Sequence, residues 1–158
     1  MIADDHVLVR KGIRALLASQ ADFQLVAEAG SYAEAVEQLH AHRADVVMLD
    51  ISMPGRDGLD LITYVRSVQP QARIIVLTMH TEDEFASRAL KAGTHGYITK
   101  DSSPDQLTAA IRRVASGSSF LSPRIAESLA LRLTRQDDAP AHERLSRREF
   151  AILSLIHI

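Results

Sequence analysis

Asp4, Asp5, Asp50, Thr78 and Lys100 are far apart in the chain, yet each follows at once on a short apolar run of strand-like composition. If those runs are parallel strands of one doubly wound sheet, their carboxyl ends form the edge at which such sheets bind ligands, and the five side chains converge there. Three carboxylates about 5 Å apart would repel pairwise by roughly 3 kcal/mol at an effective dielectric of ~20, and one lysine cannot balance that charge. The set therefore calls for a cation. Oxygen ligands at a partly open edge suit Mg²⁺, which keeps several waters and accepts one or two carboxylates together with phosphate oxygens. A metal beside a carboxylate also favours phosphoryl transfer, and an Asp nucleophile would yield an acyl phosphate.

The elements needed to position these residues are legible up to Gly117. Strand-sized runs over residues 1–3, 24–28, 46–49, 74–77 and 96–99 alternate with helical spacing, which predicts parallel strands joined by crossover helices. The third and fourth runs are apolar at every position, as strands covered on both faces are. The intervening stripes are Val9, Ile13, Leu16 and Leu17; Tyr32, Val36 and Leu39; Leu61, Ile62, Val65 and Val68; Phe85, Ala89 and Leu90; and Leu107, Ile111 and Val114. Thr81 with Glu84 is spaced as a capping box, Ser103-Pro104 as a cap with proline at the first helical position, and Gly93 can close the fourth helix.

After Gly117 the alternation stops. Ser122-Pro123 opens a further helix striped by Ile125, Ala126, Leu129, Ala130 and Leu133, residues 136–142 read as a polar linker, and Ser146 with Glu149 starts another helix. The chain is 158 residues long, 46% hydrophobic and 24% charged, the composition of an ordinary globular protein with one good core. Without cysteine it has neither disulfides nor thiolate metal sites. No run reaches the length of a membrane span and no leader precedes the first motif, so a cytoplasmic protein without membrane contact is expected. The net charge is −2, with twelve Lys/Arg against fifteen Asp/Glu up to Gly117 and six against five after it. Charge alone thus makes no case for nucleic-acid binding.

The specific signals are Asp4-Asp5-His6; Met48-Leu49-Asp50-Ile51-Ser52-Met53-Pro54-Gly55 with Asp57-Gly58; Leu77-Thr78; and Gly96-Tyr97-Ile98-Thr99-Lys100. In order and spacing they resemble the receiver domain of NarL/FixJ-type two-component response regulators over residues 1–117. The resemblance implies a five-stranded flavodoxin-like α/β sheet of order 2-1-3-4-5. It also implies phosphorylation of Asp50 by a histidine kinase, and Mg²⁺ held by Asp4, Asp5, Asp50 and the backbone carbonyl of Ser52. Lys100 would pair with the phosphoryl group, Thr78 would hydrogen-bond to it, and Tyr97 would change rotamer with it. Residues 118–143 would then be a helical linker. Leu145-Ser146-Arg147-Arg148-Glu149 with Ile152-Leu153 resembles the opening of a LuxR-type helix-turn-helix, so residues 144–158 would begin a DNA-binding domain. Its recognition helix is absent, so DNA would be bound through a full-length output domain only. Phosphorylation could also drive homodimerisation.

In this family the first strand begins several residues before the acidic pair, whereas three residues precede Asp4 here, and residues 153–158 equal one reading frame of a transposon end used in sequencing libraries. The chain therefore reads as truncated at both ends. Two other functions stay open. One is an Asp-nucleophile, Mg²⁺-dependent phosphohydrolase, a class that places a second acid where this chain has Ser52. The other is a receiver acting through protein contacts alone. The seven histidines show no ligand spacing, and His6 and His80 read as surface or supporting groups rather than metal ligands.

Overall fold

In the computed structural model, residues 1–79 and 83–136 are described. The elements run β1 (Ile2–Ala3), α1 (Val7–Ala18), β2 (Glu28–Ala29), α2 (Tyr32–Ala41), β3 (Val46–Asp50), α3 (Gly58–Val68), β4 (Arg73–Thr78), α4 (Asp83–Ala92), β5 (Gly96–Thr99), α5 (Pro104–Ala115), β6 (Phe120–Leu121) and α6 (Pro123–Gln136). Every strand pairing is parallel, and the sheet order is β2-β1-β3-β4-β5-β6. The expected order is therefore present, extended by a sixth strand. That strand pairs Phe120 and Leu121 with Gly96 and Tyr97. Two residues among serines are too few to show a period of two.

The sheet is covered on both faces because its strands alternate. Val47, Leu49, Ile74 and Val76 join Leu39, Leu61, Ile62, Val65 and Leu90 on one side. Met48, Ile75, Leu77 and Ile98 join Ile13, Leu17, Leu107, Ile111 and Val114 on the other. With side chains pointing alternately up and down and a helical layer on each face, an all-apolar strand has no wasted position.

Local chemistry sets several helix ends. Ser103 and Gln106 form a reciprocal capping box on α5 behind Pro104, and Gly93, with φ of +108°, ends α4 in a conformation that side chains disfavour. The Thr81–Glu84 pair lies outside the described residues.

The second strand differs from expectation: it occupies Glu28–Ala29 rather than residues 24–28. In register, Ile2 pairs with Glu28 and Ala3 with Ala29. β1 itself lies between β2 and β3 and is bonded on both sides, Ile2 N–H donating to Ala27 O at 3.1 Å and Met48 N–H to Met1 O at 2.9 Å. The expected helix after Ser122-Pro123 forms, and Ile125, Ala126 and Leu129 are buried in the same core layer as α3 and α4. The apolar packing thus continues past Gly117 without a break. Residues 137–158, with the expected linker end and opening helix of an output domain, lie outside the described residues.

Two outcomes follow. Leu129 is wholly buried, so Leu129→Ala should lower unfolding stability by about 2–5 kcal/mol, the range for core leucines, whereas a loosely attached linker would lose less than ~1 kcal/mol; urea denaturation measures the difference. The Met1 α-amino group donates to Val46 O at 3.0 Å, and burial pushes it from 8.0 down to about 6 against the opposing pull of Asp45. Between those values the unfolded chain holds a proton that the folded chain has released, so stability rises with pH across this window, by about 2–3 kcal/mol. Unfolding at either end of the window checks this, and a short amino-terminal extension, which turns the amine into an amide, should abolish the gain.

Candidate functional site

Three adjacent strands deliver the acidic and basic groups to one edge. Ala3 is in register with Leu49, so Asp4 emerges beside Asp50. Asp50 pairs with Leu77, which brings Thr78 next, and Thr78 pairs with Thr99, the residue before Lys100. The Lys100 N–H donates to Thr78 O at 2.8 Å and the Asp4 N–H to Ala29 O at 3.0 Å, so the sheet ladder holds both ends of the cluster.

Within it, Asp4 and Asp50 are wholly buried, and Lys100 Nζ bridges them, 2.8 Å from Asp50 Oδ2 and 2.9 Å from Asp4 Oδ2. Asp50 Oδ1 accepts from the Ser52 N–H at 2.8 Å and the Ser52 hydroxyl at 2.6 Å. Burial by itself pushes the Asp50 carboxyl up, but the hydrogen bonds from Lys100 and Ser52 more than reverse this and hold it below the ordinary carboxylate range. Burial likewise pushes the Lys100 ammonium down, and its hydrogen bonds to Asp50 and Asp4 outweigh that and raise it. Both partners are therefore charged at neutral pH.

The loop after Asp50 is shaped by its glycine. Asp57 caps α3 through its side chain, accepting from Leu59 N–H at 3.0 Å, and a Cβ on Gly58 would overlap the backbone of Ile51. Only glycine lets the chain fold back closely enough to set Ser52 beside Asp50. Position 52, two residues after the candidate nucleophile, thus carries a serine that donates to Asp50 where a phosphohydrolase would place a second acid.

The structure brings Asp4, Asp5, Asp50, Ser52 and Lys100 together, with Thr78 buried at the end of the neighbouring strand. Tyr97 lies one strand further, wholly buried in the core layer shared with α4 and α6. His6 belongs to the cluster although its spacing did not mark it as a ligand. Its Nδ1 lies 3.0 Å from Asp4 Oδ1 and 3.2 Å from Asp5 Oδ1. The usable signal was its place directly behind the acidic pair, where β1 turns into α1. His80 lies outside the described residues.

Asp4, Asp5, His6 and Asp50 offer ligand atoms within 4.8 Å of one another. Three carboxylates against one lysine leave the cluster short of positive charge: Asp4 Oδ2 has the Lys100 ammonium that Asp50 also uses, and Asp5 Oδ1 is buried without accepting a hydrogen bond. Such a donor set fits a hard divalent cation.

Residues 1–112 match the family of the response regulator receiver domain. The chain belongs to this family. Response regulator GacA of Pseudomonas aeruginosa is 36% identical over 158 residues, spanning 99% of this chain and 73% of that protein. Among solved structures, a LuxR-family two-component response regulator from Aurantimonas sp. SI85-9A1 superposes with a TM-score of 0.79 at 36% identity, covering 84% of this chain and 94% of that one. The isolated receiver of RcsB from Salmonella enterica serovar Typhimurium, solved with the phosphomimetic BeF3⁻, gives 0.76 at 32% identity, covering 81% and 95%. This receiver is thus part of a two-component response regulator. No helix among its described residues is long and apolar enough to cross a membrane.

Removing one partner of a buried ion pair strands the other, at a cost of about 3–5 kcal/mol. Lys100→Met in metal-free protein should therefore destabilise the receiver by that order, and Asp50→Asn in the same chain should recover a large part of the loss. Additive losses in a urea double-mutant cycle would show that the pair is not coupled.

Proposed function

We propose that Asp50 is the phosphoacceptor of this receiver and that a histidine kinase is its donor. The observation that carries this reading is a wholly buried carboxylate, kept ionised by Lys100 and Ser52, at the carboxyl edge of the sheet beside two further acids. A carboxylate oxygen of Asp50 attacks the phosphorus of a phosphohistidine, and the P–N bond breaks with its electron pair passing to the imidazole. The product is an acyl phosphate on Asp50.

Asp4, Asp5, Asp50 and the carbonyl of Ser52 would hold Mg²⁺, which would screen the charge between an anionic nucleophile and an anionic donor. Once Asp50 is phosphorylated its carboxylate charge is gone and the new negative charge lies on the phosphoryl oxygens. Lys100 then loses one of its two partners and turns to the phosphoryl group. The Thr78 hydroxyl, at the end of the adjacent strand, follows as a donor, and Tyr97 takes up the space that this opens. That a related receiver, that of RcsB, was solved in the presence of the phosphomimetic BeF3⁻ supports phosphorylation of a domain of this kind.

The output belongs to the rest of the regulator. Residues 1–117 carry the phosphorylation machinery, residues 118–143 the helical connection and residues 144–158 the start of a LuxR-type DNA-binding domain, through which the full-length protein would regulate transcription in the cytoplasm. The LuxR-family relationship of the Aurantimonas regulator supports that assignment. Homodimerisation on phosphorylation would place two such domains on one site. The receiver acts as a timed signal rather than as an enzyme with a separate substrate.

Incubation with a small-molecule phosphodonor and Mg²⁺, followed by intact mass, should show one added phosphoryl group on the parent and none on Asp50→Ala. Steady release of inorganic phosphate without an adduct, abolished by the same substitution, would replace this reading with a phosphohydrolase.

A further inference from the structure

His6 stands closer to the acidic cluster than a supporting side chain requires. One ring nitrogen, Nδ1, lies 3.0 Å from Asp4 Oδ1, 3.2 Å from Asp5 Oδ1 and 3.6 Å from Asp50 Oδ2, so a single atom faces all three carboxylates. Neighbouring ligands on an octahedral ion with bonds of 2.0–2.1 Å are about 3 Å apart. The His6 ring nitrogen is at hydrogen-bond distance from Asp4 Oδ1 here, and its spacings to Asp4 and Asp5 also match adjacent coordination positions, so an ion can replace that hydrogen bond without moving the ring far.

Two further observations point to a ligand at the same place. Asp4 is wholly buried, and its Oδ2 has the Lys100 ammonium, which it shares with Asp50, at 2.9 Å. Asp5 Oδ1 is also buried without a hydrogen bond and has the His6 nitrogen as its neighbour. The backbone keeps the ring in position: the His6 N–H donates to Asp4 Oδ1 at 2.8 Å, and the residue is extended, at φ −82° and ψ 105°, immediately before α1.

We infer that His6 is a nitrogen ligand of this cation site and biases it toward first-row transition cations over Mg²⁺. The inference rests on the reading that the cluster holds a divalent cation. Carboxylate and water oxygens suit Mg²⁺, whereas a site that includes an imidazole nitrogen gains affinity along the first-row series from Mn²⁺ through Co²⁺ to Ni²⁺. The His6 side chain is 56% exposed, so its ring can swing clear. Mg²⁺ then binds through oxygens with water in the ring's place, while a transition ion retains the ring. Lys100 Nζ, 2.9 Å from the same ring nitrogen, has to withdraw when that nitrogen meets a dication.

The test uses the full chain loaded with Mn²⁺ and examined by pulsed electron paramagnetic resonance, which detects a directly bound nitrogen, together with calorimetric titrations of Mg²⁺ and Ni²⁺. Parent protein should show nitrogen coupling to Mn²⁺, and His6→Ala and Asp5→Asn should each lose it. His6→Ala should weaken Ni²⁺ binding about tenfold or more and leave Mg²⁺ binding within about twofold. Three results would overturn the inference: bound Mn²⁺ without nitrogen coupling, coupling that survives both substitutions and so comes from another histidine, or equal losses for Ni²⁺ and Mg²⁺. If Mg²⁺ still supports phosphorylation of Asp50 in any of these cases, the phosphoacceptor reading stands and only the role of His6 falls. If neither Mg²⁺ nor Mn²⁺ binds, the cation reading falls and this inference with it.

Discussion

A single buried ammonium between two buried carboxylates is the constraint on which the rest of this structure depends. Lys100 reaches Asp50 and Asp4 at 2.8 and 2.9 Å with almost none of its side chain exposed. Taking three charges out of water costs several kcal/mol per ion, and the attraction between them offsets that only when the geometry is tight and other donors complete the shell. Ser52 completes it for Asp50, and the His6 backbone does so in part for Asp4. Even so the cluster carries one cation against three acids, an imbalance that a structural ion pair would not need. That deficit fits a divalent cation at the edge.

Holding that cluster demands a rigid frame, and the parallel sheet supplies it. Each of the residues involved lies at or just past a strand end whose register is fixed by ladder bonds and by apolar side chains on both faces. A slip of one residue would send every strand side chain to the opposite layer, so the positions of Asp4, Asp50 and Lys100 are over-determined by the core. At the other edge, β6 and α6 close over Tyr97: Leu121 is its register partner, and the Ser122 N–H donates to its carbonyl at 3.1 Å. Tyr97 is thereby tied to the element that leads toward residue 137.

Much of this was legible in the sequence because the signals were local or periodic. The all-apolar runs ending in Asp50 and Thr78 announced strands buried on both faces, the helical stripes announced their covers, and Ser103-Pro104 fixed the start of α5. The placement of Asp4, Asp5, Asp50, Thr78 and Lys100 on one edge followed from a topological rule, since parallel strands all present the same end. Chemistry then required only that charges of those types meet.

What the sequence determined was therefore which residues share the edge and what kind of chemistry they can do. Tertiary structure decided the rest, because it depends on contacts between segments with no local signature. The strand at Glu28–Ala29 is placed by its register with Ile2 and Ala3, a pairing between segments distant in the chain. The sixth strand exists because β5 offers an open ladder, which two residues among serines can join but cannot advertise. His6 was the clearest case: nothing in its spacing distinguished it from a surface histidine, and only the folding of three strand ends around it put one ring nitrogen against three carboxylates.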